Sequence, residues 1–156
     1  VGITGEIKAK YDVGAFISNV NTGGGGSSKV TFNNCYARCN LNTEAGSAAL
    51  TLCAKNQVVT ANNCYWSGTS STPMRRSTFI SYSIIDNNNN VTTIPTISVN
   101  NCYYDKQKFP HSVNAATSGR GLTTEQMKME SSYVGWDFEN TWYMGPDGYP
   151  ELKFNN

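Results

Sequence analysis

Three stretches decide how this chain is read: Asn33-Asn34-Cys35-Tyr36, Asn62-Asn63-Cys64-Tyr65 and Asn100-Asn101-Cys102-Tyr103. Three copies of one tetrapeptide in 156 residues mark a chain built from copies of one structural unit. Reading backwards from each copy, Val30, Val59 and Ile97 share one column, and Phe32, Ala61 and Val99 share the next, two positions on. Apolar residues alternating with polar ones mark a strand with one buried face. The paired asparagines then turn the chain, because Asn tolerates left-handed backbone angles and its amide bonds locally.

A second strand precedes the first in each unit: Gly14-Ala15-Phe16-Ile17-Ser18, Ala48-Ala49-Leu50-Thr51-Leu52 and Ser77-Thr78-Phe79-Ile80-Ser81, with Phe16, Leu50 and Phe79 in line. The loops between the strands vary, Gly-rich within 22–28 and Asn-rich within 86–90. Variable loops between fixed strands imply a stacked scaffold. The expected fold is therefore all-β, a right-handed parallel β-helix, or solenoid, of about three to four coils. Like residues of neighbouring coils would lie about 4.8 Å apart. Ladders of Asn33, Asn62 and Asn100 and an inward column of Cys35, Cys64 and Cys102 would follow. The rival, a β-sandwich, joins unlike strands by hairpins and gives no reason for a turn word to recur.

Residues 1–118 are assigned to the coils and 119–156 to a C-terminal capping segment of the same domain. In that segment Leu122 to Met129 reads as one short helix, with Thr123 or Thr124 as N-cap. Trp136, Phe138 and Trp142 form an aromatic cluster, Asp147-Gly148 marks a turn, and Tyr149 to Phe154 reads as extended. A solenoid leaves its last strand edge open, and this segment is placed to seal it.

The strand pair Gly-Ala-Phe-Ile-Ser and Val-Thr-Phe-Asn-Asn-Cys-Tyr-Ala resembles the GLUG repeats of bacterial surface proteins, found in large adhesins and IgA-protease-like proteins. The tail is similar to the segment that commonly closes such arrays. Its matching elements are Asn101-Cys102-Tyr103-Tyr104-Asp105, Leu122-Thr123-Thr124-Glu125-Gln126-Met127-Lys128, Gly135-Trp136-Asp137-Phe138-Glu139-Asn140-Thr141-Trp142 and Tyr149-Pro150-Glu151-Leu152. The chain departs from the family where only Gly14 remains of a Gly-Gly-Leu-Val-Gly strand, and where Cys39 replaces a usual Gly. The resemblance implies the C-terminal end of a β-helix array, an extracellular or cell-surface location and a role in adhesion or spacing. It implies no catalytic residues.

The residues themselves agree with a non-enzymatic module. A net charge of +1 gives no general pull toward nucleic acid, and Arg75-Arg76 is too small a basic patch for it. No apolar window is long enough for a helical membrane span. The chain opens in mid-pattern at Val1, which suggests a piece of something longer. No cofactor or metal site is expected: the single histidine, His111, follows Pro110 in a loop, and the cysteines have no ligand spacing. The glycines at 23–26 lack the Lys-Ser/Thr of a phosphate loop. Asn90-Val91-Thr92 fits a glycosylation sequon, a match close to chance in so Asn- and Thr-rich a chain. The count of five cysteines is odd, with Cys39–Cys53 as the disulfide candidate and five buried thiols as the alternative.

Glycan or a host or surface protein is the expected partner. With the cysteines facing in, Tyr36, Tyr65 and Tyr103 face out, continued by Ala37, Trp66 and Tyr104. Tyr36, Tyr65, Trp66, Tyr103 and Tyr104 are thus the candidate ligand-binding residues, since exposed rings stack on sugars and suit protein partners. The favoured alternative packs the tyrosines beneath the tail, because Trp136, Phe138 and Trp142 must bury against something. Two other classes stay open. A polysaccharide lyase or hydrolase needs converging carboxylates, yet Glu44, Asp86 and Asp105 fall at different positions of their units, and Asp137 and Glu139 share a face only on a strand. A filament subunit would self-associate through open coil edges such as Val1 to Lys10.

Overall fold

The second asparagine of each repeated word sits in the left-handed region, with φ of 51° at Asn34, 50° at Asn63 and 49° at Asn101. Each turns the chain sharply between two strands. In a computed structural model the described residues are 1–10, 13–20, 27–44, 47–53, 57–71, 79–82, 95–109 and 119–154. Fifteen strands are found among them: β1 (Gly2–Ala9), β2 (Val13–Gly14), β3 (Ile17–Val20), β4 (Lys29–Asn33), β5 (Tyr36–Thr43), β6 (Ser47–Ala48), β7 (Thr51–Cys53), β8 (Val58–Asn62), β9 (Tyr65–Trp66), β10 (Ile80–Tyr82), β11 (Thr96–Asn100), β12 (Tyr103–Asp105), β13 (Arg120–Leu122), β14 (Trp142–Met144) and β15 (Pro150–Leu152).

The strands fall into five separate sheets, in the orders β1-β5-β9-β12-β13, β10-β7-β3, β11-β8-β4, β2-β6 and β14-β15. The first four are parallel and the last is antiparallel. This corrects the expected right-handed parallel β-helix. The described strands are separate parallel and antiparallel groups, not one closed or coiled solenoid. Within the parallel sheets, equivalent residues of the repeated units do pair. Val30, Val59 and Ile97 are register partners, as are Phe32, Ala61 and Val99.

Side-chain alternation then sorts the residues. Phe32, Val59 and Ala61 from the β4 sheet, Ala37, Cys39, Leu41 and Trp66 from the β5 sheet, and Leu50, Phe79 and Ile80 at the β7 sheet meet in one core. Cys35, Cys64 and Cys102 are buried in it. Each thiol donates to the carbonyl two residues back, at 3.3, 3.2 and 3.2 Å. Cys39 is a free buried thiol, so the Cys39–Cys53 disulfide is not formed.

The tail also differs from expectation. In place of one helix over Leu122 to Met129 there are two 3₁₀ turns, Gln126–Lys128 and Glu130–Ser132. Thr123 and Gln126 do exchange reciprocal bonds, at 3.1 and 3.0 Å, as at a helix start. Met129 then goes extended (φ −111°, ψ 120°) and breaks the run. The break brings Met127 and Tyr133 into one aromatic cluster, where the Tyr133 hydroxyl donates to the Met127 carbonyl at 2.5 Å. Nor does the tail only seal a last edge. β13 extends the first sheet beyond β12, and the chain then folds back across that sheet's outer side. Among the described residues no helix is long and apolar enough to cross a membrane.

Candidate functional site

The outer side of the first sheet carries Tyr36, Tyr65 and Tyr103 in register. The structure places them under the tail and not on a free surface. Tyr65 is 0% exposed, stacks on Tyr36 at 5.3 Å and 8°, and donates its hydroxyl to the Pro150 carbonyl at 2.8 Å. Tyr103 is 4% exposed and donates to the Val134 carbonyl at 3.4 Å. Trp136 and Trp142 complete the seam, with ring centroids 4.3 Å apart, and the Trp136 indole donates to the Asn101 carbonyl at 2.8 Å.

Trp66 and Tyr104 lie on the opposite side. One residue beyond the tyrosines, period-two alternation turns them inward. Trp66 is 0% exposed, packs against Phe109 at 5.1 Å and directs its indole N–H to the Cys39 carbonyl at 3.4 Å. Half-buried Tyr104 packs on the same core. The candidate strip of Tyr36, Tyr65, Trp66, Tyr103 and Tyr104 is therefore divided between two clusters, the tyrosines of the repeated word beneath the tail and Trp66 and Tyr104 in the core.

Asn33, Asn62 and Asn100 do form a bonded ladder: Asn62 Nδ2 donates to Asn33 Oδ1 at 2.9 Å, and Asn100 Nδ2 to Asn62 Oδ1 at 2.8 Å. Asp137 and Glu139 do not sit on a strand. Asp137 lies in a turn, where its carboxylate accepts the backbone N–H groups of Asn140 and Glu139 at 2.9 and 3.1 Å. Asp105 is 1% exposed and Glu44 is exposed. Asp86, His111, Pro110, Arg75, Arg76, the sequon at 90–92 and the glycines at 23–26 lie outside the described residues. Among the described residues no group of three or more His, Cys, Asp or Glu is placed to hold a metal ion.

What the fold does bring together is a polar cleft of about 430 Å³ where the tail meets the sheet, lined by Thr4, Arg38, Asn40, Ser67, Lys108, Asp147 and Tyr149. Thr4 and Arg38 are register partners on β1 and β5, two residues along from the Gly2–Tyr36 pair, so they share the outer side. Arg38 is held from the tail by Asp147 at 2.5 Å and Glu151 at 2.8 Å. Its guanidinium lies 5.3 Å from the Tyr36 ring and 5.8 Å from the Tyr149 ring, within cation–π range. Burial opposes its charge, but Tyr65, Glu151, Asp147 and Tyr36 around it together outweigh that, and its pKa stands above the usual arginine value.

Lys108 enters from the turn after β12. Buried Asp105 builds that turn by accepting the N–H groups of Gln107 and Lys108 at 3.0 and 3.2 Å, and it also accepts the Thr124 hydroxyl at 2.8 Å. The Lys108 ammonium reaches the Ser67 hydroxyl at 3.0 Å and stands 5.0 Å from the Tyr149 ring. Asn40 accepts both the N–H and the hydroxyl of Thr69, at 3.2 and 3.0 Å, which fixes its amide at the rim. The cleft thus presents fixed cations, a partly exposed carboxylate and small polar groups, suited to a ligand with several hydroxyl or charged groups. Sequence reasoning missed Arg38. Its signal was a charged residue at the outward position two after Tyr36, beside an aromatic column.

Comparison with protein-family models, with curated proteins and with solved structures returns no match.

Proposed function

We propose that this chain is a non-enzymatic surface module, an adhesin or rigid stalk, that binds glycan in the cleft between Arg38, Asn40, Lys108, Asp147 and Tyr149. One observation carries the reading: rigid elements from both the sheet and the tail converge there on a solvent-open, mixed-charge surface. Pre-fixed donors and acceptors lose little freedom on binding, the condition under which weak polar contacts add up. The resemblance of the repeats and tail to GLUG arrays supports an extracellular or cell-surface setting and a role in adhesion.

A glycan array with the wild type, Lys108→Ala and Asn40→Ala tests this. Binding that falls about tenfold in either variant supports the cleft. Binding unchanged in both contradicts it, and capture of a protein ligand in place of glycan redirects the reading to a protein partner. A second reading, a filament subunit, draws on β1, whose eight residues pair with β5 on one side only among the described strands. Concentration-dependent growth in light scattering would favour it, and a constant monomer mass would count against it.

A further inference from the structure

We infer that the outer side of the β4-β8-β11 sheet is a second ligand surface, for an extended neutral polysaccharide. The inference accepts the reading of the chain as a binding module but concerns a different sheet from the one that forms the cleft. Thr31, Thr60 and Ser98 are register partners, and so are Asn33, Asn62 and Asn100 two residues on. With Phe32, Val59 and Ala61 turned into the core, alternation puts these six side chains on the outer side, all exposed or half-exposed.

The result is a flat lattice of hydroxyls and amides. Ideal strand geometry gives steps of about 4.8 Å along each column and about 6.6 Å between the columns. The amide column is locked by its own bonds, Asn62 to Asn33 at 2.9 Å and Asn100 to Asn62 at 2.8 Å, all running one way. Every step therefore offers the same polar pair in the same orientation, with little ordering left to lose on binding.

The charge on this side selects the class of ligand. Lys29, at the start of edge strand β4, is the only charged residue in the three strands. Such a surface has little to attract a polyanion and no exposed large apolar side chain for a protein hot spot. A ligand whose own hydroxyls recur at a step close to the strand spacing meets each row in turn. An extended chain of neutral sugar rings has that property.

The test is affinity electrophoresis of the full chain in gels containing mixed-linkage β-glucan, mannan or, as the anionic control, polygalacturonate. Wild type is expected to be retarded by at least one neutral polymer and not by polygalacturonate. Thr60→Lys, a charge at the centre of the lattice, is expected to weaken that retardation about tenfold, while Ser131→Arg, a charge of the same sign on the exposed tail outside both surfaces, leaves it as in wild type. If circular dichroism shows Thr60→Lys misfolded, Thr31→Lys on the edge strand replaces it. Wild type that runs freely in both neutral gels overturns the inference, as does full retardation of the lysine variant. Loss in Lys108→Ala with Thr60→Lys unaffected also overturns it, and leaves the cleft as the glycan site.

Discussion

Arg38 of β5 and Glu151 of β15 meet at 2.8 Å although 113 residues separate them in sequence. Together with Asp147, Glu151 fastens the tail to the sheet, and the same contacts shape the cleft. Arg38 is 14% exposed, Glu151 23% and Asp147 55%. Arg38→Ala should therefore destabilise the fold by about 2–3 kcal/mol, below the cost of breaking a fully buried pair. Arg38→Lys should recover only part, because an ammonium cannot hold two carboxylates in a planar fork. Urea unfolding measures both, and a midpoint unmoved in Arg38→Ala would remove the clamp.

Tyr65 is the centre of the seam. Its ring lies within 6.4 Å of those of Tyr36, Tyr133, Trp136, Trp142 and Tyr149. Truncation to Ala in so dense a cluster should cost about 3–5 kcal/mol. Tyr65→Phe keeps the ring but leaves the Pro150 carbonyl without its donor, for about 1–2 kcal/mol. Thermal unfolding with near-ultraviolet dichroism separates the two, and equal losses would contradict the assignment.

At Asn63, φ of 50° makes backbone preference the deciding factor. Asn63→Gly and Asn63→Ala both lose the 3.3 Å bond to Asn34, but only Ala resists the left-handed angle. Ala should therefore be less stable than Gly by about 1 kcal/mol. Equal stabilities would mean that the turn relaxes.

Acid and base act on different groups. The Asn140 backbone N–H, with those of Glu139 and the Thr141 hydroxyl, holds Asp137 below the usual aspartate value. A depressed carboxylate contributes stability above its unfolded pKa, and that contribution is lost as pH falls through the lower folded value. Stability should decline in acid below about pH 4, and Asp137→Asn should flatten the decline. A wild-type curve of the same shape as the variant's would contradict this.

The neighbouring Cys102 thiol, together with burial, pushes the Cys64 thiol up to about 12. A raised thiol contributes stability below its unfolded pKa and loses it as pH climbs toward the folded value. Native Cys64 should resist iodoacetamide at mildly alkaline pH, and urea should release it. Rapid labelling of the native chain, read by mass spectrometry, would contradict the buried column.

The local parts of this structure were legible in the sequence. The left-handed turns at Asn34, Asn63 and Asn101 follow from residue type, and the columns through Val30 and Phe32 follow from period-two alternation. Thr123 was legible as one of two N-cap candidates, but its reciprocal pairing with Gln126 was not read, nor was the early stop at Met129, because contacts of Met127 and Tyr133 with a distant surface accompany it. Arg38, Lys108 and Asp147 come from three distant segments, and nothing local joins them. The architecture was misread for a related reason. Repetition in sequence specifies which residues pair, but not how the sheets connect.

Tyr65 and Tyr103 of the repeats and the tryptophans of the sheet and tail are packed away from solvent, leaving polar surfaces for ligands. The chain has three tryptophans, Trp66, Trp136 and Trp142, at 0%, 8% and 0% exposure. Acrylamide quenching of native tryptophan fluorescence tests the claim most directly. The account predicts blue-shifted emission and quenching far below that of the urea-unfolded chain. Quenching equal to that of the unfolded chain would contradict it.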